Sequence, residues 1–316
     1  MARLFIVTPA GAGSRTGNRH TALRWAALLR AGRHRVQVAV SWQGEACDAL
    51  IALHARRSHD SVLRYREARP SAPLVVTLTG TDLYRDLPDS AEARASLELA
   101  DGVLVLQEAA LESLAPAIRR KARVVYQSAD PRVARKPPAK GFRIAVIAHL
   151  RAEKDPLRAA AALARLPGED LELVQIGEAL DPRFGREAED WAKREPRYRW
   201  LGSLSHRQAL GWMARSHLLV VSSVMEGGAN VIAEAARIGT PVLASRIPGN
   251  VGMLGARYPG YYPLADDAAL AQLISRTMHE REFYSRLRSA LRERRALFAP
   301  AAERRALLAA VAQVLP

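Results

Sequence analysis

The chain has 316 residues, of which 49% are hydrophobic and 25% are charged, as in ordinary soluble globular proteins. No apolar run approaches the length of a membrane span, and the short apolar start fits a first strand better than a signal peptide. We therefore expect a cytoplasmic protein. Its single cysteine, Cys47, excludes an intrachain disulfide and a cysteine-built metal site.

The net charge of +15 fits either a nucleic-acid-binding protein or an enzyme for small anionic substrates. The basic residues are mostly arginines scattered along the chain. There is no lysine-rich tail and no motif of stacking aromatic residues. These observations favour the enzyme and leave the nucleic-acid-binding protein as an alternative.

The first half of the chain alternates strand and helix patterns. Apolar or β-branched runs predict strands, and apolar residues at helical spacing predict helices between them, including one at 108–115. The predicted strands of this half are 3–10, 36–40, 48–54, 73–80, one around 102–107, and 122–127. This alternation predicts a parallel sheet that helices cover on both faces.

A glycine-rich loop at 11–20, GAGSRTGNRH, follows the first strand and opens a helix. Such a loop is typical of an anion site at a helix N-terminus, with a plain tight turn as the alternative. It lacks the glycine spacing of a dinucleotide-binding fingerprint, so it does not indicate NAD.

A proline-rich basic segment at 130–141 has no periodicity and predicts a linker, after which the alternation restarts. The predicted fold class is α/β, with two Rossmann-like, doubly wound domains. We place the first domain at 1–136, the second at 137–280, and C-terminal helices that pack back on the first domain at 281–316. The arginines of these last helices are read as a solvated face.

The stretch 218–241 carries the strongest functional pattern. An apolar strand runs into a turn with two glycines, and then into a helix that ends at Gly239. The helix start would present free N–H groups to an anion. Glu226 precedes the helix, and Glu234 lies inside it among apolar residues, where a carboxylate is costly unless it is hydrogen-bonded. This pattern predicts a nucleotide-sugar site.

Glu226 and Glu234, followed by Gly-Thr-Pro-Val at 239–242, resemble the signature of the retaining family 4 glycosyltransferases of the GT-B fold. The segment 148–156, AHLRAEKDP, resembles the loop with which that family grips the nucleotide diphosphate. The resemblance covers nearly the whole chain. It implies a cleft between two Rossmann-like domains and a hexosyltransferase that needs no metal and no cofactor, with a UDP-sugar as co-substrate.

The resemblance also implies roles for individual residues. The catalytic set is Lys154, Glu226, Arg151 and His149, where His149 replaces the family's usual arginine and Lys154 would neutralise charge on departing UDP. Glu234 would accept hydrogen bonds from the ribose hydroxyls. The other expected donor-binding residues are Gly227, Gly228, Ala229, Asn230, Gly177, Leu204 and Ser222.

On the acceptor side, TLTGTD at 77–82 falls where the family has His-Gly-x-Asp, so Thr79 replaces a histidine. The segment 16–20 falls at the family's glycine turn, where cations at a helix start would suit an anionic acceptor. The expected acceptor-binding residues are Gly13, Arg15, Thr16, Gly17, Asn18, Arg19, His20, Thr79, Gly80, Thr81 and Asp82.

Five segments together resemble one branch, the selenosugar synthases of selenoneine biosynthesis. They are 8–30, 53–62 (LHARRSHDSV), 77–87, 149–156 and 224–235. This resemblance implies selenophosphate as acceptor, UDP-N-acetylglucosamine or UDP-glucose as donor, and handover to other enzymes of that pathway. It implies neither a nucleic-acid partner nor a membrane span.

The prediction of a selenium-containing acceptor rests on this resemblance alone. A conventional family 4 transferase with a hydroxyl acceptor and a sugar-nucleotide epimerase on the same fold remain alternatives.

Overall fold

The computed structural model describes residues 1–11 and 17–315 and divides into two compact units, each built around a six-stranded parallel sheet. This confirms the predicted α/β class with two Rossmann-like domains. Gly13, Arg15 and Thr16 lie outside the described residues. Within the described part of the chain, no helix is long and apolar enough to cross a membrane.

The first unit comprises Met1–Gln127 and the segment from Pro300 onward. Its strand order is β2-β1-β3-β4-β5-β6, and every pairing is parallel. All residues of its central strands β3, β4 and β5 are buried, as expected for strands that helices cover on both faces. Its elements are β1 (Arg3–Val7), α1 (Gly17–Ala31), β2 (Arg35–Ala39), β3 (Ala49–Leu53), α2 (His59–Ala68), β4 (Leu74–Thr77), α3 (Leu87–Asp89), α4 (Ala91–Leu99), β5 (Gly102–Val105), α5 (Pro116–Arg120) and β6 (Ala122–Val124).

The helix predicted at 108–115 is a 3₁₀ helix that spans only Glu108–Ser113. Pro116 follows and begins α5. A residue before proline disfavours the α conformation, and Ala115 is accordingly extended with ψ 147°. The chain therefore breaks into two short helices at this point.

The second unit comprises Ser128–Ala299, with strand order β12-β11-β10-β7-β8-β9. The chain begins at β7 in the middle of the sheet, builds β8 and β9 on one side, and then crosses to β10 on the other. Ligand crevices of such sheets lie at this reversal, at the carboxyl ends of the strands. The elements are β7 (Phe142–Ile147), α6 (Arg158–Ala164), β8 (Leu171–Ile176), α7 (Pro182–Arg194), β9 (Tyr198–Trp200), α8 (His206–Ala214), β10 (Leu218–Val221), α9 (Asn230–Ile238), β11 (Val242–Ser245), α10 (Pro248–Leu254), β12 (Tyr261–Tyr262), α11 (Asp267–His279) and α12 (Arg281–Arg294).

The two units change over at 127–128, earlier than the predicted boundary at 136–137. The segment predicted as a linker is bonded into the second unit, since the Ala129 N–H donates to the Phe298 carbonyl and the Lys136 N–H donates to the Ala214 carbonyl. Helix α12 also belongs to the second unit, so the predicted C-terminal segment 281–316 is divided between the two.

The last helix, α13 (Pro300–Ala312), belongs to the first unit. Its Glu303 is buried, and the carboxylate accepts a hydrogen bond of 2.8 Å from the Trp25 indole and lies 3.2 Å from the Arg24 Nε. A buried carboxylate is tolerated when charged and hydrogen-bonding partners satisfy it, as both do here. These contacts fasten α13 to α1.

Candidate active site

Two loops meet at the reversal of the second sheet, one after β7 and one after β10. The Ser222 hydroxyl points at the carbonyl oxygens of Lys154 (2.9 Å) and Asp155 (2.8 Å). The Val224 N–H donates to the Glu153 carbonyl at 3.0 Å. Because β7 and β10 are adjacent parallel strands, residues about 70 positions apart in sequence are brought side by side.

Lys154 and Glu226 form the central pair of this site. Lys154 Nζ lies 2.5 Å from Glu226 Oε1, and the Ser223 hydroxyl donates to the same oxygen at 2.6 Å. Only 8% of the Glu226 side chain and 19% of the Lys154 side chain are exposed. The structure thus brings together two of the four predicted catalytic residues, and it adds Ser223, which the sequence did not indicate.

A second row of polar residues supports this pair. The Ser245 hydroxyl donates to the Ser223 carbonyl at 2.5 Å, and the Asn250 amide donates to the Ser245 carbonyl at 2.9 Å. Gly249, in α10, packs directly against the Glu226 turn, because a Cβ at this position would come within 2.0 Å of the Glu226 carbonyl oxygen. Contact with α10 therefore restrains the position of the Glu226 backbone.

The turn leads into α9 through five consecutive N–H groups, those of residues 227–231. None of them donates to an acceptor among the described residues, and the first bonds of the helix run from Ile232 and Ala233 to the Ala229 carbonyl. No side chain caps the helix, and the Asn230 Oδ1 is buried without a hydrogen-bond partner in the described residues. Free N–H groups at a helix N-terminus favour an anion.

Glu234 lies on the second turn of α9 and is paired with a residue that the sequence did not single out. His206 Nε2 lies 2.7 Å from Glu234 Oε1, and this hydrogen bond raises the pKa of His206. The His206 side chain is 72% exposed, whereas that of Glu234 is 15% exposed. The other Glu234 oxygen accepts no hydrogen bond from the described part of the chain, so it is available to a ligand.

His149 is positioned by the loop after β8. Its Nδ1 accepts a hydrogen bond of 3.3 Å from the Glu178 N–H, which places the proton of the neutral ring on Nε2. Burial lowers the pKa of His149, and the charges of Arg151 and Lys154 lower it further. At neutral pH His149 is therefore an uncharged hydrogen-bond donor, and the role of Arg151 as the cation in its place stays a prediction. Arg151 Nε lies 3.8 Å from a Glu153 oxygen.

Three predicted donor-binding residues have structural contacts of their own. Ser222 bonds the two loops together, as described above. Gly177 has φ +155°, and a Cβ on it would come within 1.9 Å of the Ala148 carbonyl oxygen, so only glycine fits beside the His149 loop. Leu204 packs against the apolar cluster of Val174, Ile176 and Ala209.

In the first unit, the predicted acceptor residues Gly17–His20 form the first turn of α1. The Thr21 hydroxyl donates to the Gly17 carbonyl at 2.9 Å and fixes this turn. The Arg19 Nε is buried without a hydrogen-bond partner in the described residues, and His20 is exposed.

Asp82 is fully buried and binds backbone. Its Oδ1 accepts N–H bonds from Thr79 (2.7 Å), Gly80 (2.9 Å) and Leu83 (3.2 Å), and its Oδ2 accepts one from Ala55 (3.1 Å). These bonds shape the loop that carries Thr79–Thr81, and they give both oxygens of Asp82 partners in the absence of an acceptor. Acceptor binding by Asp82 stays a prediction.

His54, from the segment LHARRSHDSV, lies beside this loop. It is buried with φ +74°, a strained conformation for a residue other than glycine. Its Nδ1 accepts the Arg57 N–H at 3.3 Å, and its Nε2 lies 3.2 Å from the Thr81 hydroxyl. Burial lowers the pKa of His54. His54 therefore positions Thr81 as a neutral ring, a role that no spacing in the sequence revealed.

Comparison with known proteins places this geometry in a family. The family model described as glycosyl transferases group 1 matches residues 129–294, more than half of the chain. The chain belongs to the group 1 glycosyl transferases. This confirms the predicted enzyme class, a glycosyltransferase. The match lies in the unit that carries Lys154, Glu226 and Glu234.

A curated relative, glycosyltransferase 1 domain-containing protein 1 of Xenopus tropicalis, is 31% identical over 144 residues. The match covers 45% of this chain and only 41% of the relative's length. Two solved structures share the fold over nearly the whole chain. Anabaena Alr3699/HepE in complex with UDP and glucose has a TM-score of 0.79 at 16% identity, with 99% of this chain and 100% of that chain covered. Sucrose-phosphate synthase of Thermosynechococcus elongatus has a TM-score of 0.79 at 16% identity, with 98% of each chain covered.

Proposed function

We propose that this glycosyltransferase takes its sugar from a UDP-sugar and transfers it to selenophosphate, releasing UDP. The observation that carries the donor half is the run of five unpaired N–H groups at residues 227–231, beside Lys154. These groups would face the diphosphate, and Lys154 with Arg151 would stabilise the negative charge that develops on the leaving group. The open oxygen of Glu234 would accept a hydrogen bond from the ribose.

Two solved structures with this fold bear on the choice of donor. Alr3699/HepE was solved with UDP and glucose, and the other structure is named a sucrose-phosphate synthase. The UDP and glucose bound to Alr3699/HepE, which shares this fold at 16% identity, support the proposal of a nucleotide-sugar donor.

The acceptor half rests on the resemblance to selenosugar synthases and on the residues near α1 and β4. In the transfer, the bond between the anomeric carbon and the UDP oxygen breaks, and its electron pair leaves with UDP. A bond forms between that carbon and selenium, and the phosphoryl group stays on selenium until water cleaves the P–Se bond. An anionic selenium nucleophile needs no base, which fits Thr79 in place of the usual histidine. Arg19 and His20 in the first turn of α1 would attract the anion.

The test mixes purified protein with UDP-N-acetylglucosamine or UDP-glucose, with and without selenophosphate. We expect UDP to be released, and a sugar with the selenium isotope pattern to appear in the mass spectrum, only when both substrates are present. If UDP forms equally well without selenophosphate, selenophosphate is not the acceptor. If UDP forms equally well with hydroxyl acceptors in its place, the enzyme is a conventional family 4 transferase.

Glu234→Gln tests the donor half separately. It should weaken UDP binding by about tenfold or more, because it removes a charged acceptor for the ribose hydroxyls. The matched control is Glu189→Gln on the exposed face of α7, which should bind UDP like the wild type. Isothermal titration calorimetry measures both, and an unchanged affinity in Glu234→Gln would remove this residue from the donor site.

A further inference from the structure

A groove on the second unit lies away from the candidate active site. Its volume is about 550 Å³, and we call it the arginine groove after Arg281, Arg288 and Arg292 on α12, which line it with Ser285, Phe142 and His217. Phe142 begins β7 and His217 directly precedes β10. The groove is therefore at the amino ends of these strands, whereas Lys154 and Glu226 follow their carboxyl ends.

The polar residues of α12 form a stripe along the groove. Residues 281, 285, 288 and 292 are spaced by four, three and four positions, so they share one face of the helix. The opposite side of α12 carries the buried residues Phe283, Leu287 and Leu291. At a rise of about 1.5 Å per residue the stripe extends for about 16 Å.

These three arginines have no ion-pair partner in the part of the chain that the structure describes. In residues 1–11 and 17–315, no carboxylate lies within ion-pair distance of Arg281, Arg288 or Arg292, and no acidic residue lines the groove. Some arginines of the same unit are paired, such as Arg197 with Glu195 (2.7 Å). Three unpaired like charges on one helix face repel one another, and a bound anion would relieve that repulsion.

The floor of the groove is fixed and partly aromatic. Arg135 donates to the Tyr284 hydroxyl at 2.6 Å, and that hydroxyl donates to the His217 carbonyl at 3.1 Å. The rings of Phe142 and His217 stack with their centroids 4.8 Å apart. Guanidinium groups bind phosphate through paired N–H donors, and Ser285 adds a hydroxyl. The volume is in the range of sites for small molecules.

We propose that the arginine groove is a second anion site, which binds a compact metabolite carrying two or three phosphate groups. The charge, the donor set and the short length of the stripe favour such a ligand over a nucleic acid, which would need a longer basic surface. This inference does not depend on the proposed transfer reaction.

The probe is inorganic triphosphate, titrated into the full-length protein in the presence of saturating UDP so that the candidate active site is occupied. We expect one binding event that weakens as salt is raised. The variant Arg281→Ser/Arg288→Ser/Arg292→Ser should lose about tenfold or more in affinity, since charged hydrogen bonds are removed. The control Lys140→Ser/Arg186→Ser/Arg257→Ser removes the same charge at exposed positions outside the groove and should keep wild-type affinity.

Three outcomes overturn the proposal: no binding of triphosphate to the wild-type protein, equal loss in the two triple variants, or no loss in the groove variant. A parallel arm replaces triphosphate with vesicles that present an anionic lipid surface. These vesicles are phosphatidylcholine with roughly 20% phosphatidylglycerol. Vesicle binding that depends on the groove, without triphosphate binding, would assign the groove to lipid headgroups and also overturn the proposal. Thermal melting of both triple variants checks that they are folded.

Discussion

Gly249→Ala tests whether α10 sets the position of the Glu226 turn. The new Cβ would lie 2.0 Å from the Glu226 carbonyl oxygen and 2.7 Å from its carbonyl carbon, whereas real Cβ atoms stay at 3.0 Å or beyond. The difference of about 1 Å cannot be absorbed by side-chain rotation, because the contacted atoms belong to the backbone. Either α10 or the turn must move by that amount.

We expect two measurable effects. Overpacking of this kind lowers the free energy of unfolding by about 1–3 kcal/mol, which urea denaturation would show as a lower midpoint. A displacement of about 1 Å at the proposed donor site can lower turnover by about 100-fold, measured as UDP released from a UDP-sugar. Turnover should fall because the turn carries Glu226 and the free N–H groups.

Gly211→Ala is the matched control. Gly211 is inside α8, where the nearest atom to a new Cβ is the Arg215 guanidinium at 3.5 Å. Alanine in a helix interior is favoured over glycine by about 0.5–1 kcal/mol, so this variant should be slightly more stable than the wild type and equally active. Wild-type stability and turnover in Gly249→Ala, or equal losses in both variants, would refute the reasoning.

Two further predictions concern the charged pairs of the site. Lys154→Met should lower the free energy of unfolding by about 2 kcal/mol, because it leaves Glu226 charged and largely buried. In urea denaturation, Lys154→Met/Glu226→Gln should recover part of that loss. A double variant that is no more stable than the single one would argue against a stabilising ion pair. The raised pKa of His206 means that its bond to Glu234 stabilises the fold fully below the unfolded pKa of about 6.5 and is lost as pH rises through the folded value. The stability difference between wild type and His206→Gln should therefore shrink as pH is raised from about 6 to 9, and a difference that grows over that interval would contradict the assignment.

The sheets were predictable from the sequence because their strands are apolar on both faces. Leu218–Val221 and Ala49–Leu53 are unbroken apolar runs, and every residue in them is buried. The meeting of Lys154 with the Glu226 turn was also predictable. Both follow strands of an alternating α/β pattern, and such loops gather at one edge of a parallel sheet.

The remaining contacts have no local signal. His206 meets Glu234 only because α8 and α9 pack together, and the requirement for glycine at 249 comes from the backbone of a turn 23 positions earlier. The short strand β12 and the division of the C-terminal helices between the two units likewise depend on tertiary packing, which leaves no periodicity in the chain. The resemblance to a family supplied the roles of the donor residues, which spacing alone did not.

The acceptor can be tested through the proton that a hydroxyl acceptor must lose. Of the basic groups near the predicted acceptor residues, Asp82 has both oxygens bonded to backbone N–H groups, and the Nδ1 of His54 accepts the Arg57 N–H. Among the described residues of this segment, His20 is exposed in the first turn of α1 and is the candidate base for a hydroxyl acceptor. Selenophosphate needs no base, so His20→Gln should raise its KM while kcat stays within a few-fold of the wild type. A base contributes about 10²–10⁴-fold, and a fall of that size in kcat, measured as UDP release at saturating selenophosphate, would show that the acceptor arrives protonated and that the anionic nucleophile is wrong.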